Sequence, residues 1–169
     1  MDVGKALLNL QPEPVPSYKF QVFINNIRLG FSKVTNIEES IETEPFQEGG
    51  VNDRVYSLRR PVSTERTLVF ERGLADRGLV TDLLTLRFAV GQRIPQDIFI
   101  LVGNRNGAIA TLYQVHGAVV KKWSVNDLDA MNSEVLIERF EVAYETLENH
   151  QIAGKLLGGA LSALGISTF

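Results

Sequence analysis

The chain has 169 residues, with 17 Lys plus Arg against 20 Asp plus Glu, a formal charge of −3, 44% hydrophobic residues and no cysteine. That length buries enough surface, roughly 70% of what the unfolded chain exposes, for one domain to hold together without covalent staples. The missing cysteines exclude a disulfide framework, a thiol nucleophile and a cysteine-ligated metal, the acidic excess excludes the basic footprint of a nucleic-acid binder, and no apolar run approaches the ~18 residues that span a bilayer or follows the pattern of a secretion signal.

Three prolines in QPEPVP remove backbone donors and favour extension, so residues 1–17 read as an N-terminal arm. In Tyr18 to Ile24 the residues Tyr18, Phe20, Val22 and Ile24 alternate with Lys19, Gln21 and Phe23. That is the period of a half-buried strand, and Asn25-Asn26 suits a tight turn into a second strand, IRLGFSKV. Ile37 to Arg60 alternates again and breaks at Glu48-Gly49-Gly50, which predicts a long hairpin with a glycine tip. Thr67 to Phe70 predicts a strand ended by Glu71-Arg72-Gly73.

Leu79 to Val90 changes period: Val80, Leu83, Leu84 and Phe88 fall on one stripe, with Gly91 as C-cap, which predicts one helix. Strands follow at Ile98 to Val102, Ala108 to Val115 and Ala118 to Val125, the first two joined by a turn ending in Asn106-Gly107. After a loop, Glu134 to Leu147 predicts one long closing strand. Ile152 to Phe169 has a helical apolar stripe, but its four glycines make a free-standing helix too weak without a partner surface. The whole predicts a mainly β domain: an antiparallel β-sandwich or barrel-like body with one packed α-helix and a long protruding β-hairpin.

Chemistry-bearing clusters are absent from this pattern. His116 and His150 stand apart and read as a strand-edge and a surface histidine. Glu38, Glu39, Glu42, Glu44 and Glu48 could include a glycosidase pair, but their alternation with Ile37, Ile41 and Thr43 reads as the wet face of a strand. Gly103 to Gly107 lies between two strands, so it cannot place phosphates on a helix N-terminus. No catalytic residue, cofactor or metal site is expected.

Charge order is more informative. Between Lys33 and Arg54 lie Glu38, Glu39, Glu42, Glu44, Glu48 and Asp53 with no base, followed by Arg54, Arg59, Arg60, Arg66 and Arg72 against Glu65 and Glu71. Folding at Gly49-Gly50 would lay an acidic leg beside a basic one. The charges then either pair within the hairpin or face an identical neighbour.

Taken together, these segments resemble the tail tube proteins of contractile phage tails and related contractile injection particles. The likeness runs from about Tyr18 to Leu147 and rests on four stretches. They are FQVFINNIRLGFSKV with its Gly30-Phe31 pair, the Glu48-Gly49-Gly50 tip, LVFERG at Leu68 to Gly73, and the Trp123 strand leading to LDAMNSEVLIERFEVAYETLE with Asp129, Ala130, Asn132 and Glu138. Arg60-Pro61-Val62 stands where the family usually has Pro-Gly, Leu83, Leu84 and Leu86 where its helix often has tryptophan, and the loop after Trp123 reads as cut to Ser124 to Leu128.

The resemblance implies a tube domain at 18–147 with a C-terminal extension at 148–169. It implies homo-hexameric rings stacked into a hollow tube within a contractile sheath, with baseplate and tail-terminator proteins as further partners. Cargo or DNA would pass without specific binding, there would be no direct membrane insertion, and assembly would occur in the cytoplasm of the producing cell before incorporation into a virion tail or released particle. The expected ring interface is Glu42, Glu44, Gln47, Glu48, Gly49, Gly50, Asn52, Asp53, Arg54, Arg59 and Arg60, with Glu38, Ser40, Glu42 and Glu44 as a candidate lumen row. A baseplate-proximal initiating ring is the first alternative. A monomeric β-sandwich binding module is the second, resting on Trp123, Tyr113 and Tyr144, whose better place is the core.

Overall fold

A computed structural model describes residues 14–25, 27–47, 49, 53–61, 65–74 and 89–151. Among these residues the strands are β1 (Phe20–Ile24), β2 (Ile27–Leu29), β3 (Lys33–Thr35), β4 (Thr43–Phe46), β5 (Tyr56–Arg59) and β6 (Arg66–Gly73), then β7 (Ile98–Gly103), β8 (Ile109–His116), β9 (Val119–Val125), β10 (Ile137–Tyr144) and β11 (Thr146–Gln151). They form an antiparallel sheet of order β11-β8-β7-β1-β2, a second of order β3-β6-β10-β9, and the separate pair β4-β5. The β-sandwich with a protruding hairpin is therefore the observed architecture. The segment expected to be helical lies outside the described residues up to residue 88, and Ala89 and Val90 are not helical.

Local chemistry sets the turns. Asn25 has φ 52°, a left-handed angle that asparagine tolerates, and the β1–β2 hairpin closes there with Ile24 opposite Ile27. Between β7 and β8, the Asn104 side-chain oxygen accepts from the amides of Asn106 (3.0 Å) and Ala108 (2.9 Å), while Gly107 adopts φ 83°.

The main core lies between the two larger sheets. Val22, Ile24, Ile98, Ile100 and Val115 of the first meet Leu68, Phe70, Val120 and Val142 of the second. Each such side chain contributes about 1.5–3 kcal/mol by leaving water. On the other face of the first sheet, Phe23, Phe99, Leu101 and Leu112 form a second buried cluster. Burial on both faces explains why β7 reads as an unbroken apolar run rather than an alternation.

Three strand expectations need correction. IRLGFSKV is not one strand: Leu29 is buried in the first sheet, whereas Ser32 donates its amide to the Glu71 carbonyl (2.8 Å) and leads into β3 of the second. Phe31 fills the crossing, its ring 5.1 Å from that of Phe70. Residues 134–147 likewise split. Tyr144 pairs with Arg66 in the second sheet, Glu145 bends and donates to the His116 carbonyl (3.0 Å), and Thr146 opens β11 opposite His116 in the first. The sheet then runs past residue 147 to Gln151. Finally, β9 continues through Val125 and β10 starts only at Ile137, so the loop after Trp123 is not the short Ser124 to Leu128 stretch but residues 126–136.

One buried ion pair ties the sequence motifs to the fold. Arg72 on β6 and Glu138 on β10 are Cα partners on the core-facing side of the second sheet, with side chains 10% and 3% exposed. Arg72 Nε donates to Glu138 Oε2 at 2.7 Å, Nη2 stands at the same distance as an ion pair only, and the guanidinium lies 5.3 Å from the centre of the Phe140 ring. Removing one partner leaves a buried charge uncompensated. Glu138→Ala should therefore destabilise the unassembled subunit by about 3–5 kcal/mol in chemical denaturation, while the apolar pair Arg72→Met with Glu138→Leu recovers most of that loss.

Candidate assembly surfaces

In the β4–β5 hairpin, register places Thr43 opposite Arg59, Glu44 opposite Leu58, Pro45 opposite Ser57 and Phe46 opposite Tyr56. Directly opposed residues share a face. One face therefore carries Glu44, Phe46, Tyr56 and Leu58, and the other carries Thr43, Pro45, Ser57 and Arg59. The strands are shorter than the predicted Ile37 to Arg60 ribbon, and every residue of β4 and β5 is exposed. Leu58 is 51% exposed and Phe46 47%, with Val55 and Ile41 also in water. An isolated two-stranded ribbon is marginally stable, and one that shows its apolar face to solvent is an unfinished surface.

The hairpin's charges pair partly with each other. Arg60 Nε lies 3.5 Å from Glu44 Oε2, and Arg54 lies 3.3 Å from its neighbour Asp53; all four side chains are more than half exposed. Such pairs contribute at most about 1 kcal/mol each. Arg59 has no ion-pair partner among the described residues. Of the expected interface, Glu42, Glu44, Gln47, Gly49, Asp53, Arg54, Arg59 and Arg60 all lie on this ribbon and are exposed, whereas Glu48, Gly50 and Asn52 fall outside the described residues.

The root of the ribbon is clamped. Tyr144 donates its hydroxyl to the Glu38 carbonyl (2.8 Å), Arg66 Nη2 donates to the Ser40 carbonyl (3.5 Å), and the Arg60 amide donates to the Glu42 carbonyl (2.9 Å). Burial pushes the Tyr144 phenol above its ordinary value near 10, so it keeps the proton that makes this bond. Glu38, Ser40, Glu42 and Glu44 are exposed, but only Glu44 sits on a strand. The period-2 row expected for them does not extend back through residues 38–42.

The two larger sheets end at β11 and β2 in the first and at β3 and β9 in the second, with residues 91–94 already covering β9 at Ala118–Val120. Each carries backbone groups that another chain can pair. The expectation that Trp123 belongs to the core is corrected: it stands on marginal strand β9, opposite Phe140, at 45% exposure, while Tyr144 is buried and Tyr113 packs against the core. Tyr113 is in one sheet and the other two aromatics in the second, so they form no common stacking platform.

His116 lies against Asp97 (2.9 Å) and Glu148 (3.7 Å), and His150 against Glu148 (3.2 Å), a polar cluster at the β11 margin. Among the described residues no group of three or more His, Cys, Asp or Glu is placed to hold a metal ion, and no helix is long and apolar enough to cross a membrane.

An exposed ribbon and open sheet margins are the geometry of a self-assembling part. The family model of the T4-like virus tail tube protein gp19 matches residues 16–148. The chain belongs to that family. Membership makes it a structural protein rather than an enzyme. Two of the four stretches singled out in the sequence acquire physical meaning here, since LVFERG supplies Arg72 and the closing strand supplies Glu138, the two halves of the buried pair.

Solved structures agree. A chain of the anti-feeding prophage baseplate is 25% identical over 85% of this chain and 99% of its own, with a TM-score of 0.69. A chain of the anti-feeding prophage cap, at 15% identity, covers 83% and 93% with a TM-score of 0.70. A chain of the sheath–tube complex of an extracellular contractile injection system, at 16% identity, covers 87% and 97% with a TM-score of 0.68. The latter two show the shared fold. A comparison with curated proteins finds no match.

A Cβ added at Gly49 meets nothing within 4 Å. Gly49→Trp should therefore leave the stability of the dilute subunit within about 0.5 kcal/mol of wild type in thermal melts. Tyr144→Phe should lower stability by about 1 kcal/mol and speed backbone exchange of the hairpin root.

Proposed function

We propose that this protein is a structural subunit of the inner tube of a contractile phage tail or injection particle, closing into six-membered rings that stack as a hollow conduit for DNA or effectors. The observation that carries this reading is the β4–β5 ribbon, which exposes Phe46, Tyr56 and Leu58 on one face in a protein of the tail tube family. Around the ring, the sheet margins of one copy pair with different margins of the next, a heterologous contact that closes after a whole number of steps. Along the axis, the ribbon from Glu42 to Arg60 meets the adjacent ring. This contact does not close, so it propagates a filament.

Glu38, Ser40, Glu42 and Glu44, exposed but not aligned as one strand row, are the proposed lumen-facing residues, whose weakly negative field lets nucleic acid or effectors slide without sticking. Sheath, baseplate and terminator proteins are the proposed partners, with assembly in the cytoplasm before the particle leaves the cell. No nucleotide hydrolysis is needed, because the tube is the rod that the sheath drives.

A second reading, a baseplate-proximal ring that starts the tube, is favoured by the 25% identity to a chain of the anti-feeding prophage baseplate. Electron microscopy of the purified protein separates these readings. Long hollow filaments are expected for the tube subunit, and rings that never elongate for the initiating ring. A monodisperse 18.8 kDa species at high concentration contradicts both.

A further inference from the structure

A second exposed surface lies on this same chain, at the far end of the sheet that carries the ribbon. The hairpin leaves the second sheet at the end where β6 begins: Arg66 there binds the Ser40 carbonyl, and Tyr144, its Cα partner, binds that of Glu38. At the other end of the β6–β10 ladder, Gly73 faces Ile137 and the loop of residues 126–136 emerges. The loop's root is fixed: Leu74 donates to the Leu136 carbonyl (2.8 Å), Ile137 to Asn126 Oδ1 (2.6 Å) and Asn126 to the Ile137 carbonyl (3.1 Å). An eight-residue strand separates the two projections by about 24 Å along the sheet. They are rooted at opposite ends of one strand ladder.

The loop is also an unfinished surface. Leu128 is 84% exposed, Met131 95% and Val135 70%, an exposure no described element relieves. These side chains alternate with Asp127, Asp129 and Glu134, none of which is in an ion pair among the described residues, and no base lies between Lys122 and Arg139. The β5 leg has the opposite character. Residues 54–60 carry Arg54, Arg59 and Arg60 with no acid; alternation along the strand puts Arg60 on the face of the exposed Tyr56 and Leu58, where its pairing with Glu44 is open to water and easily exchanged, and Arg59 on the opposite face.

We propose that the loop of residues 126–136 is the axial socket, an apolar knob rimmed by carboxylates that seats the basic β5 leg of the hairpin from a second copy of this chain. Two complementary surfaces at opposite ends of one subunit make a head-to-tail contact. Burying Leu128 and Met131 against Tyr56 and Leu58 supplies affinity, while the arginines and acids fix register. The inference rests on the stacking reading above and names the face that stacking uses.

Two experiments test it on the full chain. In the first, Arg60→Glu alone and Asp127→Arg with Glu134→Arg should each raise the protein concentration needed for filaments about tenfold, and the three changes in one chain should bring it back. In the second, Leu58→Cys and Met131→Cys are placed together in this cysteine-free chain. A short bis-maleimide should then give a covalent ladder from filaments and none from either single variant. Should the charge variants perturb folding, the cysteine pair decides. If filaments form but the thiol of the Met131→Cys single variant stays freely reactive within them, and the double variant gives no ladder, the socket is overturned and the tube reading stays intact. A wild-type chain that never stacks overturns both.

Discussion

The account depends on apolar surface that one copy of the chain cannot bury. Phe46, Tyr56 and Leu58 share a face of a two-stranded ribbon with no third strand and no opposing layer among the described residues, and Leu128, Met131 and Val135 project from a loop at the other end of the second sheet. A ribbon of four-residue strands cannot retain its shape on internal hydrogen bonds alone. Its ion pairs are too exposed to compensate. What the monomer lacks, the proposed contact takes from an identical neighbour.

The two-sheet body makes that exchange possible by being rigid. Its core is ordinary aliphatic and aromatic packing, but the Arg72–Glu138 pair sits at the loop end of β6 and β10, and Tyr144 with Arg66 grips the hairpin root at the other. Both projections are therefore held by side chains of the same two strands. A buried ion pair is a poor source of net stability, since desolvation offsets much of its attraction. Its directional geometry fixes where the loop starts instead.

Much of this was legible in the chain. Alternation located β1, an unbroken apolar run located β7, the Asn106-Gly107 turn located the start of β8, and the glycine break located the hairpin, because burial and turn geometry both leave a direct imprint on residue order. The two places where one predicted strand became two are those where the chain crosses between sheets. At the second crossing the signal was present: Tyr144 and Leu147 are both buried, yet they differ in parity, which no single flat strand permits. The buried charges were missed for a different reason. Arg72 and Glu138 look like solvent-facing residues until the register sets them opposite each other, and that pairing spans 66 residues of sequence. Trp123 misled similarly, since its size suggests a core position while its place on a marginal strand leaves it in the open.

Hydrogen exchange measured on the dilute subunit and again on its assembled form tests the central claim most directly. The account predicts that the amides of Thr43–Phe46 and Tyr56–Arg59 exchange rapidly in the lone subunit and slowly after assembly, while those of β7 and β10 are protected in both. Full protection of the hairpin in the dilute subunit, unchanged on assembly, would contradict it.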